Sequence, residues 1–162
     1  MQLTAEEYAD VRAAVATGAG RWAGGQQGTL NGLFAAWLGV IRELEDEEGY
    51  SWCGPEFTND IWCRTALAKV WPLLPERVRQ IRQQELDKLD DRFLAATVPW
   101  PDRDGDGSEW YLWRIPRLLQ ADPTEPLERG WPHGWPIPCP KPDNVKIVIW
   151  TCHNASPLAV SG

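Results

Sequence analysis

The chain is poor in the side chains that most often do chemistry. Its 162 residues include two histidines, His133 and His153, and one methionine. Positive charge is scarce too: Lys and Arg number 16 against 23 Asp and Glu, and net charge is −7. That balance disfavours a nucleic-acid or anionic-membrane partner, because phosphate-bearing surfaces draw their affinity from clustered Lys and Arg. A basic protein partner is compatible with it. No run of about 18 apolar residues exists, so no segment reads as a membrane span. The opening MQLTAEEYADVR is acidic and lacks the apolar stretch of a secretory leader, so the expected location is the cytoplasm.

Four cysteines, Cys53, Cys63, Cys139 and Cys152, are then expected as reduced thiols. They show no C-x2-C spacing, and no H-x3-H accompanies them, so nothing local builds a zinc site. Gly18–Gly28 contains G-x-G-x-x-x-G but follows a helix and lacks the Lys-Ser/Thr of a phosphate-binding loop. No G-x-S-x-G nucleophile turn occurs. The expectation is a protein without a cofactor, leaning away from an enzyme. Arg exceeds Lys, and Ala, Gly, Pro and Trp abound; that bias suits a high-GC bacterial or phage genome.

Against these shortages stand 11 Trp, 14 Pro and 14 Gly. The strongest local pattern is Thr29–Gly49, TLNGLFAAWLGVIRELEDEEG. Leu30, Leu33, Phe34, Trp37, Leu38, Ile41 and Leu44 recur at three- and four-residue steps, the stripe of a core-facing helix. Thr29 is a suitable N-cap and Gly49 a suitable stop. Glu43, Glu45, Asp46, Glu47 and Glu48 then place negative charge at the negative end of the helix dipole, at a cost of about 0.3–1 kcal/mol each where exposed. Such broken local rules tend to mark functional surface.

Three more helices are expected. Ala5–Thr17 has a Thr4/Glu7 capping box. A third runs from about Asn59 to Trp71 with Thr58 or Asn59 as cap, after a turn-rich connector Gly49–Phe57. A fourth runs from near Pro75 to about Ala96, with Val78, Ile81, Leu86, Leu89 and Phe93 as its stripe. After residue 97 the texture changes, and proline rules out regular helix over most of residues 98–142. Glu109–Ile115 reads as a strand or a single helical turn. Val145–Cys152 is the clearest strand, β-branched and bounded by a Pro-Asp-Asn turn. The many tryptophans favour a segment that wraps a core, since each buries a large apolar area. The fold class is therefore mainly α with a small β addition, one domain over residues 1–162. About four helices lie in residues 1–97, a Pro/Trp-rich wrap with one or two short strands in 98–152, and a loose tail in 153–162.

Several local matches to known sites fall short. Asp102, Asp104 and Asp106 resemble the opening D-x-D-x-D-G of an EF-hand calcium loop, where alternate carboxylates converge on a hard cation. Trp113 stands where the closing bidentate Glu belongs, which leaves these three as weak metal candidates. Trp52-Cys53-Gly54-Pro55 resembles the thioredoxin redox site, with Glu56 in place of the second cysteine and an acidic helix in place of the strand before it.

Two surfaces remain as candidates. The first is acidic and aromatic: Glu45, Asp46, Glu47 and Glu48 beside Tyr50 and Trp52. It suits a small binding protein, of the regulator, toxin-neutralising or antagonist type, that meets a basic partner. Acidic clusters speed such encounters, and Trp and Tyr are common interface anchors. The alternative is a pocket roofed by Trp110, Trp113, Trp131 and Trp135 with His133 between the last two. It would hold a small molecule or carbohydrate, or hydrolyse one with paired carboxylates.

Overall fold

In the computed structural model the described residues are 2–20, 28–103, 105 and 107–150. They form a mainly helical body with two small sheets. The helices are α1 (Ala5–Ala19), α2 (Leu30–Glu45), α3 (Gly54–Asp60), α4 (Trp62–Val70) and α5 (Glu76–Ala96). The strands are β1 (Thr97–Pro99), β2 (Arg114–Pro116), β3 (Leu118–Ala121) and β4 (Lys146–Ile149).

The caps expected of the first two helices form. In α1 the Thr4 hydroxyl accepts from Glu7 N–H, and the Glu7 carboxylate accepts from Thr4 N–H, the reciprocal capping box. Thr29 Oγ1 accepts from Gly32 N–H at 3.0 Å and starts α2. Its stripe is buried as the spacing requires, from Leu30 and Leu33 through Trp37 to Ile41 and Leu44. Leu38 is only partly buried and Val40 takes part of its place. The helix ends earlier than Gly49: Asp46 is the C-cap, and its carboxylate accepts from Glu48 N–H to hold a turn. Gly49 has φ +83°, and a Cβ there would lie 3.2 Å from the backbone of Leu119 and Gln120. Glycine is therefore needed for the crossing onto the sheet as well as for the turn.

The connector after it is a correction. Residues 54–60 are helical, with Pro55 in the first turn, where its missing N–H costs nothing. The cap is Cys53, whose carbonyl accepts from Phe57 N–H, and not Thr58 or Asn59. Thr58 instead bonds back to the Gly54 carbonyl, a contact that bends helices. The chain changes direction at Ile61 before α4 begins. Pro75 caps α5 from outside the helix.

Thr97–Pro99 pairs antiparallel with Arg114–Pro116, and between them Trp110–Trp113 forms a 3-10 turn. Glu109–Ile115 is thus a turn and then a strand. β3 pairs in parallel with β4, Leu118 opposite Lys146 through Ala121 opposite Ile149. On the other edge of β3, Tyr50 bridges to Leu119. The Pro/Trp segment supplies Trp131, Trp135, Ile137 and Val145 to the same core as the helices. Trp131 Nε1–H donates to the Cys139 carbonyl at 2.7 Å, and Trp135 Nε1–H to the Trp52 carbonyl at 3.2 Å. Each indole thus fills the core without stranding its donor. No helix among the described residues is long and apolar enough to cross a membrane.

Candidate functional site: an acidic groove with two tryptophans

The parallel strands position the site. Tyr50 N–H donates to the Leu118 carbonyl and Gln120 N–H to the Tyr50 carbonyl, both at 2.9 Å. These bonds lay residues 49–51 alongside β3. Trp150 N–H donates to the Ala121 carbonyl at 2.9 Å, which fixes Trp150 just past β4. Two depressions open here. The larger, about 400 Å³, is lined by Glu43, Asp46, Glu48, residues 49–52, Gln120 and Trp150. The smaller, about 210 Å³, is lined by Ser51, Gln120, Ala121, Asp122, Glu125, Leu127, Pro132, His133 and Trp150. They adjoin at Ser51, Gln120 and Trp150, which line both, and together they make an acidic groove.

The lining charge is of one sign: five acidic residues and neither Lys nor Arg. Large apolar groups stand at its edge, with Trp52 59% and Trp150 49% exposed. Burial, and then the nearby Asp60 carboxylate, raise the Glu43 carboxyl above its ordinary value. Asp122 is the reverse case: the Thr124 hydroxyl and N–H, at 2.6 and 2.7 Å, hold its carboxyl low.

The structure divides the expected acidic set. Asp46, Glu48 and Trp52 come together in the groove. Glu45 does not; its carboxylate is held by Arg92 of α5 at 2.8 and 2.6 Å. Glu47 is exposed and lines neither depression. Tyr50 as an exposed anchor is a correction. Its side chain is buried against Phe57 and Trp135, and its hydroxyl donates to Asp60 Oδ2 at 2.5 Å. Burial and the Asp60 carboxylate push that phenol far above its ordinary range.

The tryptophan-roofed pocket is likewise redistributed. Trp131 and Trp135 are core filling, 1% and 4% exposed, so neither can roof an open pocket. Trp110 packs on Phe93 and Tyr111. Trp113 lies with Trp100 around the Arg103 guanidinium, at 5.1 and 5.6 Å. His133 alone of that set lines the acidic groove.

The thiols are placed as structural groups. Burial pushes the Cys63 thiol up to about 12. Burial, and then a hydrogen bond with Asp102, raise that of Cys139. Cys53 packs against Gly134, where a Cβ would lie 2.6 Å from its own; Gly54 N–H donates to the Gly134 carbonyl at 2.9 Å. The thioredoxin-like tetrapeptide is therefore a helix start pinned to a neighbouring turn. Among the described residues no three of His, Cys, Asp and Glu gather to hold a metal ion. Asp104, Asp106, Cys152 and His153 lie outside the described residues.

Sequence reasoning missed Trp150, Gln120, Asp122 and Glu125 as partners of residues 43–52. The β-branched run before Trp150 and the Asp122-Pro123-Thr124 turn were legible. Nothing local joins them to a segment some seventy to a hundred residues earlier. No family model matches the chain, and neither a curated protein nor a solved structure matches it.

Proposed function

We propose that the chain is a non-enzymatic binding protein whose acidic, tryptophan-edged groove receives a basic segment of a partner protein. One observation carries this reading: Glu43, Asp46, Glu48, Asp122 and Glu125 share a groove with exposed Trp52 and Trp150, and no cation lines it. A surface of one sign steers an oppositely charged partner and raises its association rate. Trp faces hold Lys or Arg by cation–π attraction, about 0.5–1 kcal/mol at exposed sites and more where water is excluded.

The test compares capture of native-host proteins by the wild-type chain and by an E43Q/D46N/E48Q variant. The expected result is a basic protein retained at about 50 mM salt, weakened at about 300 mM, where charges are screened, and lost in the variant. A retained protein that ignores both changes overturns the reading.

A further inference from the structure

A third depression lies at the opposite end of α2. It is a groove of about 710 Å³ between α1, α2 and α5. Its walls are apolar: Leu3, Val11 and Val15 on one side, Leu30 on another, Val78 and Ile81 on the third. Tyr8, 54% exposed, stands at its rim. The volume falls within the roughly 300–1,000 Å³ typical of small-molecule sites, which combine apolar walls with a few polar groups.

The polar groups here are Arg12, Arg82, Asn31 and Thr29, and no carboxylate lines the groove. In a chain of net charge −7 that is a local reversal of sign. Arg82 is held rigid: it donates to Asn31 Oδ1 at 2.7 Å and Glu85 Oε2 at 2.8 Å, and lies 4.1 Å from the centre of the Phe34 ring. The Arg12 side chain is exposed, and it makes no hydrogen bond or ion pair with the described residues. A guanidinium beside an apolar trough recognises an anionic head on an apolar tail. The first turn of α2, at Thr29 and Leu30, adds positive potential of the same sense.

We infer that this groove binds a free alkyl monocarboxylate, with the chain along Leu3, Val11, Val15, Val78 and Ile81 and the carboxylate at Arg12. The site is separate from the acidic groove and does not depend on its function.

The experiment is calorimetric titration of the full chain with octanoate, decanoate and dodecanoate, all below their micelle concentrations. Affinity should rise with chain length by up to about fourfold per methylene buried. Arg12→Gln should weaken dodecanoate about tenfold, as expected for loss of a charge-assisted bond. Val11→Trp should fill the trough and abolish the chain-length dependence. Circular dichroism confirms that both variants are folded, and E47Q, at an exposed residue that lines none of the depressions, serves as the variant with unchanged binding. Equal binding of dodecyltrimethylammonium, no loss in Arg12→Gln, or binding only to phosphatidylglycerol vesicles overturns the proposal.

Discussion

Arg64 of α4 and Asp90 of α5 are joined by two parallel bonds, Nε to Oδ1 at 2.9 Å and Nη2 to Oδ2 at 2.8 Å. The same Oδ1 accepts from Trp37 Nε1–H of α2 at 3.1 Å. The guanidinium also lies 5.1 Å from the centre of the Tyr111 ring. One carboxylate thus ties three helices to the 3-10 turn that follows β1. The side chains are only 10% and 16% exposed, so each charge relies on the other for solvation.

Removing one partner should therefore cost far more than an exposed pair would. Asp90→Ala leaves a buried guanidinium uncompensated and should lower stability by about 3–5 kcal/mol. Arg64→Met with Asp90→Leu should lose less than Asp90→Ala alone. Urea denaturation, with midpoint and slope both fitted, checks this; a loss below about 1 kcal/mol in Asp90→Ala would show that water reaches the pair.

Tyr50 and Trp52 should separate stability from binding. Tyr50→Phe strands the Asp60 carboxylate and should cost about 1.5–3 kcal/mol of stability, with partner affinity unchanged. Trp52→Ala should leave stability within about 0.5 kcal/mol and weaken the partner by about 2 kcal/mol or more. Thermal melts and titration of the captured partner read the two effects. If Trp52→Ala leaves affinity intact, the groove is not the interface.

Partner binding should weaken on mild acidification. Glu43 has its carboxyl raised above the ordinary 4.5, so it takes up a proton before ordinary exposed carboxylates do. Affinity should fall as pH drops towards the carboxylate range, and E43Q should flatten the onset of that fall. The stability sign is opposite: burial favours the protonated form, so this group opposes folding increasingly as pH rises through 4.5. E43Q should be slightly more stable than wild type at pH 7. An onset that is the same in E43Q and in wild type would remove Glu43 from the site.

Glu45 should behave as a structural group. Arg92 holds its carboxyl below the ordinary 4.5, so its stabilising contribution is present above that value and fades as pH falls through the lowered one. The side chains are 37% and 41% exposed, and water screens the pair to about 0.3–1 kcal/mol. E45Q should lose that much at pH 7, less in high salt, with no change in partner affinity. Melting curves of E45Q at two salt concentrations decide it. No difference from wild type at low salt would mean that the Arg92 bond contributes nothing.

The fold's helical half was legible because its determinants are local. The spacing of Leu30, Leu33, Trp37, Ile41 and Leu44 draws a single buried stripe, and Thr4 and Thr29 satisfy first-turn N–H groups a few residues away. The helix at Gly54–Asp60 was not legible, since its start depends on Gly134, far along the chain, accepting the Gly54 N–H.

The acidic end of α2 was readable as an anomaly, and its partition was not. Glu43 and Glu45 are two residues apart on one helix. Which faces the groove and which meets Arg92 is set by where α5 and β3 lie. Tyr50 and Trp52 are the sharper case. Both are large aromatics two positions apart, and strand alternation would put them on one face. The strand-like lane ends after Tyr50, where its bond to Leu118 buries the phenol against Phe57; at Trp52 the chain bends, its carbonyl accepts from Trp135, and the indole is left at the groove. The sequence by itself determined the helical core, the caps at Thr4 and Thr29 and the acidic excess, because the stripe and the caps rest on contacts within a few residues and the excess on composition. Only the tertiary structure decided which acids and which tryptophans share a surface, because parallel pairing of β3 with β4 and bridging to Tyr50 join segments that no local rule connects.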